Sequence, residues 1–442
     1  MSLQRRQVLS LFLGSAAISA LSACGGKQTT TTPPPPTETP SPSSTPTPSW
    51  LGASKQGGGQ LTLLSALLAD PESQQRFAND VLNGFFSGSS YTLDTTYTSP
   101  DRLLDSIYTG LVGADLADLV MPPAGWVPGL QRRNALREIP ESVIADLHLD
   151  DHFLISCRQQ ASVRALPYAI DLSLVGYRSD LFAQAGISSP PATLDELRAL
   201  AKQLTTPELS GFDPFGPGLR NTWLTLLGSY GGQLFTSDGK PQFDRDEGLK
   251  ALEFIVGLVK DGSADPSKIP ATGSPQLFFD KKAAMTLVSS TNWPALSAAG
   301  LAESSHLGLF AMPAAQQGKD PCVLQTGTLL AVSNQSQHPD VAFEFCHYAL
   351  GASPLLAAAR ITSAVPARPD IVPGSDLALN RVLVQGLDDV KYAVMVPGGS
   401  PAWLDVDAVI ESELMAAVTG KQPASASISN LSRVANDSLD HG

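Results

Sequence analysis

Apolar positions along this chain fall into short runs that alternate with longer, helix-spaced stripes. Residues 60–64, 118–121, 172–177, 283–288 and 329–333 are apolar runs of strand length, and Pro122-Pro123 ends the second. Between them the spacing becomes helical. Leu194, Leu197, Leu200, Ala201 and Leu204 share one helical face. Thr193 ahead of them, with Glu196 three residues on, predicts a capping box in which each side chain takes a backbone N–H of the other's end. A second helix opens at residues 244–247, carries the stripe Leu249, Leu252, Ile255, Val256 and Val259, and ends at Gly262. A third opens at Pro339-Asp340 and runs through Phe343 and Cys346 to Gly351. Strands alternating with helices in this way predict an α/β fold.

The chain ahead of residue 60 follows neither pattern. Arg5 and Arg6 precede an apolar stretch, residues 8–23, that is broken by Ser and Gly. It is shorter than the ~20 apolar residues of a spanning helix. Residues 1–23 therefore read as a cleavable export signal. Leu21-Ser22-Ala23-Cys24 resembles a bacterial lipobox, which implies a lipid on Cys24. Arg5-Arg6-Gln7-Val8-Leu9 resembles a twin-arginine signal but lacks its usual Phe, so both export routes stay open. Residues 24–59 are rich in Pro, Thr and Ser, and residues 27–49 hold almost nothing apolar. Such a tract cannot offset its ordering entropy by burial, and its prolines favour an extended spacer of ~3 Å per residue.

Composition narrows the remaining body. The 442 residues carry a net charge of −13, and the leading 59 residues are positive, so the body is more acidic still. Nucleic acid, which needs clustered Lys and Arg, is not an expected partner. A body of this length exceeds one core and predicts two lobes. Beyond Cys24 the cysteines are Cys157, Cys322 and Cys346, an odd and scattered set that is no disulfide framework, although one bridge stays open.

A longer resemblance emerges in the middle of the chain. Ala165-Leu166-Pro167-Tyr168-Ala169-Ile170-Asp171 is followed by Tyr177-Arg178-Ser179-Asp180-Leu181-Phe182, then Ala185-Gly186-Ile187 and Pro190-Pro191-Ala192-Thr193-Leu194-Asp195-Glu196-Leu197. Phe278-Phe279, Lys282-Ala283-Ala284-Met285 and Gly327-Thr328 follow. In that order these segments resemble the family 1 extracellular solute-binding proteins, which include maltose- and glycerol-phosphate-binding proteins. Arg178 replaces the family's usual Asn. The resemblance implies two α/β lobes with a ligand cleft between them and three hinge crossings, near residues 168–172, 283–290 and 324–332. It implies a first lobe of residues 60–168 with 286–326, and a second of 169–285 with 327–442. It also implies a monomer in the periplasm or on the cell surface, tethered to a membrane by its lipid. That protein would capture a small solute, most simply a sugar, for the permease subunits of an ABC importer.

Sugar sites combine flat apolar faces with a few oriented polar groups. The expected ligand set is Trp126, Trp223, Trp293 and Trp403 as stacking faces, with Tyr168, Asp171, Arg220, Asn221, Gly327 and Thr328 supplying polar contacts and backbone. Each Trp has core packing as its alternative, and Asp171 has loop capping. The end of the first strand, Ser65-Ala66-Leu67-Leu68, is apolar where several sugar binders place polar ligands. No nucleophile elbow or catalytic metal motif is present, no cofactor is implied, and the chain does not read as an enzyme. His148 and His152 share a helical spacing that suits zinc, but they sit in an acidic turn, so no metal is expected. Asp405 and Asp407 read as the start of a helix rather than as a catalytic pair. The other classes left open are a surface scaffold reusing the fold and a secreted polysaccharide hydrolase.

Overall fold

A computed structural model describes residues 47–159, 161–268, 277–302 and 306–441. The export signal, Cys24 and most of the spacer lie outside the described residues. The strands are β1 (Gly59–Ser65), β2 (Tyr91–Tyr97), β3 (Leu119–Met121), β4 (Arg158–Gln159), β5 (Ser162–Val163), β6 (Leu166–Arg178), β7 (Met285–Ser289), β8 (Leu307–Phe310), β9 (Cys322–Val332), β10 (Val365–Pro366) and β11 (Ala393–Met395). The main sheet has the order β10-β6-β9-β3-β1-β2, with β7 and β8 also on β6 and β11 on β9.

The first lobe is built on β1, which runs parallel to β2 and β3 in the registers Leu61↔Leu93 and Leu63↔Leu119. Its side chains alternate between two cores. Leu61 and Leu63 join one with Phe77 and Phe343, while Leu64 joins the other with Leu103 and Ile107 of the helix Pro100–Gly113. Helices on both faces are what a parallel sheet requires.

Two long antiparallel strands, β6 and β9, link the lobes. Leu166 pairs with Leu330 at one end and Ser173 with Leu324 at the other. The outer part of β9 pairs with β3 (Leu119↔Val332), and the inner part with β11 (Val394↔Val323). At the crossover sits Gly327 with φ +129; a Cβ there would lie 2.3 Å from Ala169 O. No other residue fits that backbone.

The strand pairing corrects the expected lobe boundaries. β7 runs antiparallel to β6 from Ser173↔Ser289 to Tyr177↔Met285, and β8 pairs with the same stretch. β7 and β8 therefore build onto the second lobe, and residues 327–332 onto the first. The expected crossing near 283–290 does not occur. A third link is β10, which pairs with Ile170 and Ala169. Apolar runs showed where strands lie, but β7 is buried along nearly its whole length, and nothing in such a run names its neighbour.

The helix signals were specific enough to fix ends. Thr193 caps Leu194–Leu204 by accepting from Glu196 N at 3.2 Å. Glu196 reaches back to Ala192 N at 2.7 Å, one residue earlier than a strict capping box. The second helix is Asp246–Lys260 and the third Pro339–Ala349. Cys157, Cys322 and Cys346 are free and buried, and burial pushes the thiols of Cys157 and Cys322 up to about 12. As protonated thiols they are poor nucleophiles.

Candidate functional site

The carboxyl ends of parallel strands, where backbone turns into helix starts, are where α/β sheets bind ligands. Beyond Ser65 at the end of β1 the chain passes through Leu67 and Leu68 to Asp70, which caps the helix Pro71–Phe77 by accepting from Ser73 N at 2.8 Å. These residues face the crossing strands across a cavity of 480 Å³. Ala169 and Asp171 of β6 and Thr326, Gly327 and Thr328 of β9 form its back wall. Thr291 and Pro294 close it from the second lobe, and Ile361, Thr362 and Ala364 from the first.

Asp171 is the charged centre of the back wall. Its Oδ1 accepts from Ser290 Oγ at 2.7 Å and Thr291 N at 3.2 Å, and its Oδ2 accepts from Thr291 Oγ1 at 3.0 Å. It thereby fixes the turn Ser290–Asn292 that leads into the helix Trp293–Ala298. Burial pushes its carboxyl above the usual carboxylate range, against the pull of those donors. At Asp70 the opposite holds: the Ser73 N–H keeps the carboxyl below its ordinary value. A carboxylate offers about four acceptor positions, so Asp171 retains room for a further donor.

The sign of the Asp171 effect on stability follows from linkage. A carboxyl raised on folding favours the fold at low pH, where it is protonated in both states, and that contribution is lost as pH rises through its folded value. Asp171→Asn removes this titration. The melting temperature of the variant minus that of wild type is expected to rise as pH increases above about 4, the ordinary carboxyl value. A pH-independent difference would show that Asp171 titrates alike in both states.

The comparisons with known proteins agree with this architecture. The family described as "Bacterial extracellular solute-binding protein" matches residues 89–354, well over half of the chain. The chain belongs to this family. Among its relatives, a probable ABC transporter-binding protein from Deinococcus radiodurans is 30% identical over 269 residues, covering 57% of this chain and 58% of that protein. The alignment thus spans just over half of that relative's length. Two solved structures share the fold. The GacH receptor of Streptomyces glaucescens, solved unliganded and with acarbose, superposes with a TM-score of 0.72 at 18% identity, over 87% of this chain and 100% of that one. A solute-binding protein from Agrobacterium radiobacter, solved with ribitol, gives 0.71 at 20% identity, over 87% and 99%.

In this solute-binding protein the expected ligand residues divide into three groups. Asp171, Gly327 and Thr328 meet at the cavity; Trp293 does not line it and is half-buried against the core. Trp126, Arg220, Asn221 and Trp403 form a second cluster. Arg220 pairs with Asp407 Oδ1, its Nη1 donates to Asn221 Oδ1 at 2.8 Å, and its guanidinium lies 5.3 Å from the Trp403 ring centre. Trp126 Nε1 approaches Asp407 Oδ2 at 3.4 Å. The loop after β3 is thus joined to the helix Trp403–Val418, which begins earlier than Asp405. Trp223 and Tyr168 form the third group, and both are core residues.

Three of the aromatic assignments need correction. Trp223 is fully buried, donates from Nε1 to Gly248 O at 3.0 Å and meets Phe243 edge-on. Tyr168 is buried edge-on against Phe77, and no partner for its hydroxyl occurs among the described residues. Trp403 is 0% exposed and packs edge-on against Phe235. Apolar area outweighs proximity to the cleft at all three. Sequence reasoning missed Asp70, Ser73, Thr326 and Thr362. Asp70-Pro71, a residue that caps helices followed by one suited to the first turn, was the available signal. The apolar character expected of residues 65–68 is seen in Leu67 and Leu68, which line the cavity.

A second cavity of 490 Å³ lies between Gly125, Pro128 and Arg158 on one side and Gly232, Phe235 and Met395 on the other. Its lining has one hydroxyl side chain, Ser156, and no carboxylate. Its walls are mainly backbone and apolar carbon, a poorer match to a hydroxylated solute. His152, the other candidate metal ligand, lies with its Nδ1 2.8 Å from Asp150 Oδ1, and no cluster of three metal-binding side chains occurs among the described residues.

Proposed function

We propose that this protein captures a neutral, polyhydroxylated solute, a sugar or sugar alcohol, in the cavity at Asp171. One observation carries the reading. The cavity is lined by the hydroxyls of Ser73, Thr291, Thr326, Thr328 and Thr362 and the carboxylates of Asp70 and Asp171, with no Lys, Arg or His. Hydroxyl groups of a sugar can donate to the carboxylates and exchange bonds with the threonines, while Leu67, Leu68 and Ile361 meet its C–H faces. An anionic solute would meet like charge without a counter-ion. Relatives that bind ribitol or acarbose fit this chemistry.

The two crossing strands supply the mechanism. A solute touching Leu67–Asp70 of one lobe and Thr291 of the other binds the closed form best, and so shifts the open–closed equilibrium by that difference in affinity. The closed form is then delivered to the permease of an ABC importer. A lipid on Cys24 and the following spacer hold the body in the periplasm or at the cell surface. The protein binds without altering its ligand.

A thermal-shift panel tests this reading. A neutral sugar or sugar alcohol at ~100 times its dissociation constant stabilises the fold by ~2.7 kcal/mol. Phosphorylated forms of the same compound are expected to give no shift. Stabilisation by the phosphorylated form alone would refute the proposed chemistry.

A further inference from the structure

The residues just ahead of β1 were expected to belong to the spacer, yet they are fastened to the body. The Trp50 ring is buried, meets His347 at a tilt of 39° with ring centres 5.0 Å apart, and donates from Nε1 to Ser142 Oγ at 3.0 Å. The N–H groups of Gly52 and Ser54 donate to Glu344, to Oε1 at 3.1 Å and to Oε2 at 2.6 Å. Ser54 O in turn accepts from Ser90 N at 2.7 Å and Ser89 Oγ at 3.1 Å. Lys55 Nζ donates to Gly88 O, and Ser49 Oγ to Asp340 at 3.2 Å. A carboxylate taking two backbone N–H groups beside a buried Trp is a built contact, not a passing one.

Its position gives it meaning. The contacts gather where β1 and β2 begin, at Gly59 and Tyr91, whereas the solute cavity lies beyond Ser65 at the far end of β1. Strand rise puts about 20 Å between them. We infer that residues 49–56 are a clip that fastens the tether to the pole of the first lobe facing away from the cleft. The inference rests on the tethered reading above.

The test is hydrogen exchange on the full-length Cys24→Ser chain, which reads the clip with or without lipid. The amides of Gly52 and Ser54 are expected to exchange slowly. Glu344→Ala should speed them about tenfold or more, with the amides of β6 and β9 unchanged as a folding control. Trp50→Ala, a separate route to the same release, should do likewise. Fast exchange in wild type, or no change in both variants, would overturn the clip. Protection that grows with protein concentration would also overturn it, by showing the segment docked on a second copy. Fractionation of the Cys24→Ser chain reads the anchor separately: loss of membrane association supports the lipid, whatever the clip does.

Discussion

Replacing Trp403 with alanine is expected to destabilise the ligand-free protein by about 3–5 kcal/mol. The indole is 0% exposed, meets Phe235 edge-on and carries the Arg220 guanidinium over its face. Truncation removes both contacts and leaves a cavity that the helix Trp403–Val418 and the helix Leu219–Ser229 cannot close without moving. The Trp403 Nε1 has no partner among the described residues, so the loss is of packing rather than of a hydrogen bond. Denaturant unfolding of wild type and variant without ligand measures the effect. An unchanged midpoint with weakened solute binding would instead place Trp403 in the ligand site.

Asp171→Ala is expected to weaken solute binding by about 10- to 150-fold, the worth of ~1.5–3 kcal/mol for a hydrogen bond to a charged group. The substitution removes the acceptor at the back of the cavity and also frees the turn Ser290–Asn292 from its three bonds to the carboxylate. Asp171→Asn keeps the shape and one acceptor oxygen, so its loss should be smaller. Calorimetric titration with the best neutral ligand of the panel distinguishes them. Equal affinity in wild type and Asp171→Ala would reduce Asp171 to a turn cap.

Much of the fold was legible because its signals are local. The Thr193 cap, the stripe Leu194, Leu197 and Leu204, and the glycine that ends the second helix depend on neighbours a turn away. Strand partners do not. Residues 285–289 could pair with either lobe as far as their own pattern says, and only the β6 register Ser173↔Ser289 settles it. The site divides the same way. Asp171, Gly327 and Thr328 follow from segments whose order resembles the family, and they do meet at one cavity. The tryptophans do not follow. A Trp near a strand end suits a sugar face and a core equally well, and Trp223 and Trp403 show the core winning. The fastening of Trp50 was invisible for the opposite reason, because a lone Trp at the end of a Pro/Ser/Thr tract has no local pattern at all.

The most direct measurement is a crystal structure with the neutral sugar or sugar alcohol that stabilises the protein most. The solute is expected in the 480 Å³ cavity, with a hydroxyl on Asp171 and others on Thr291 and Thr328, and both lobes in contact. A solute bound instead in the cavity beside Gly125, Arg158 and Met395, or touching one lobe alone, would contradict it.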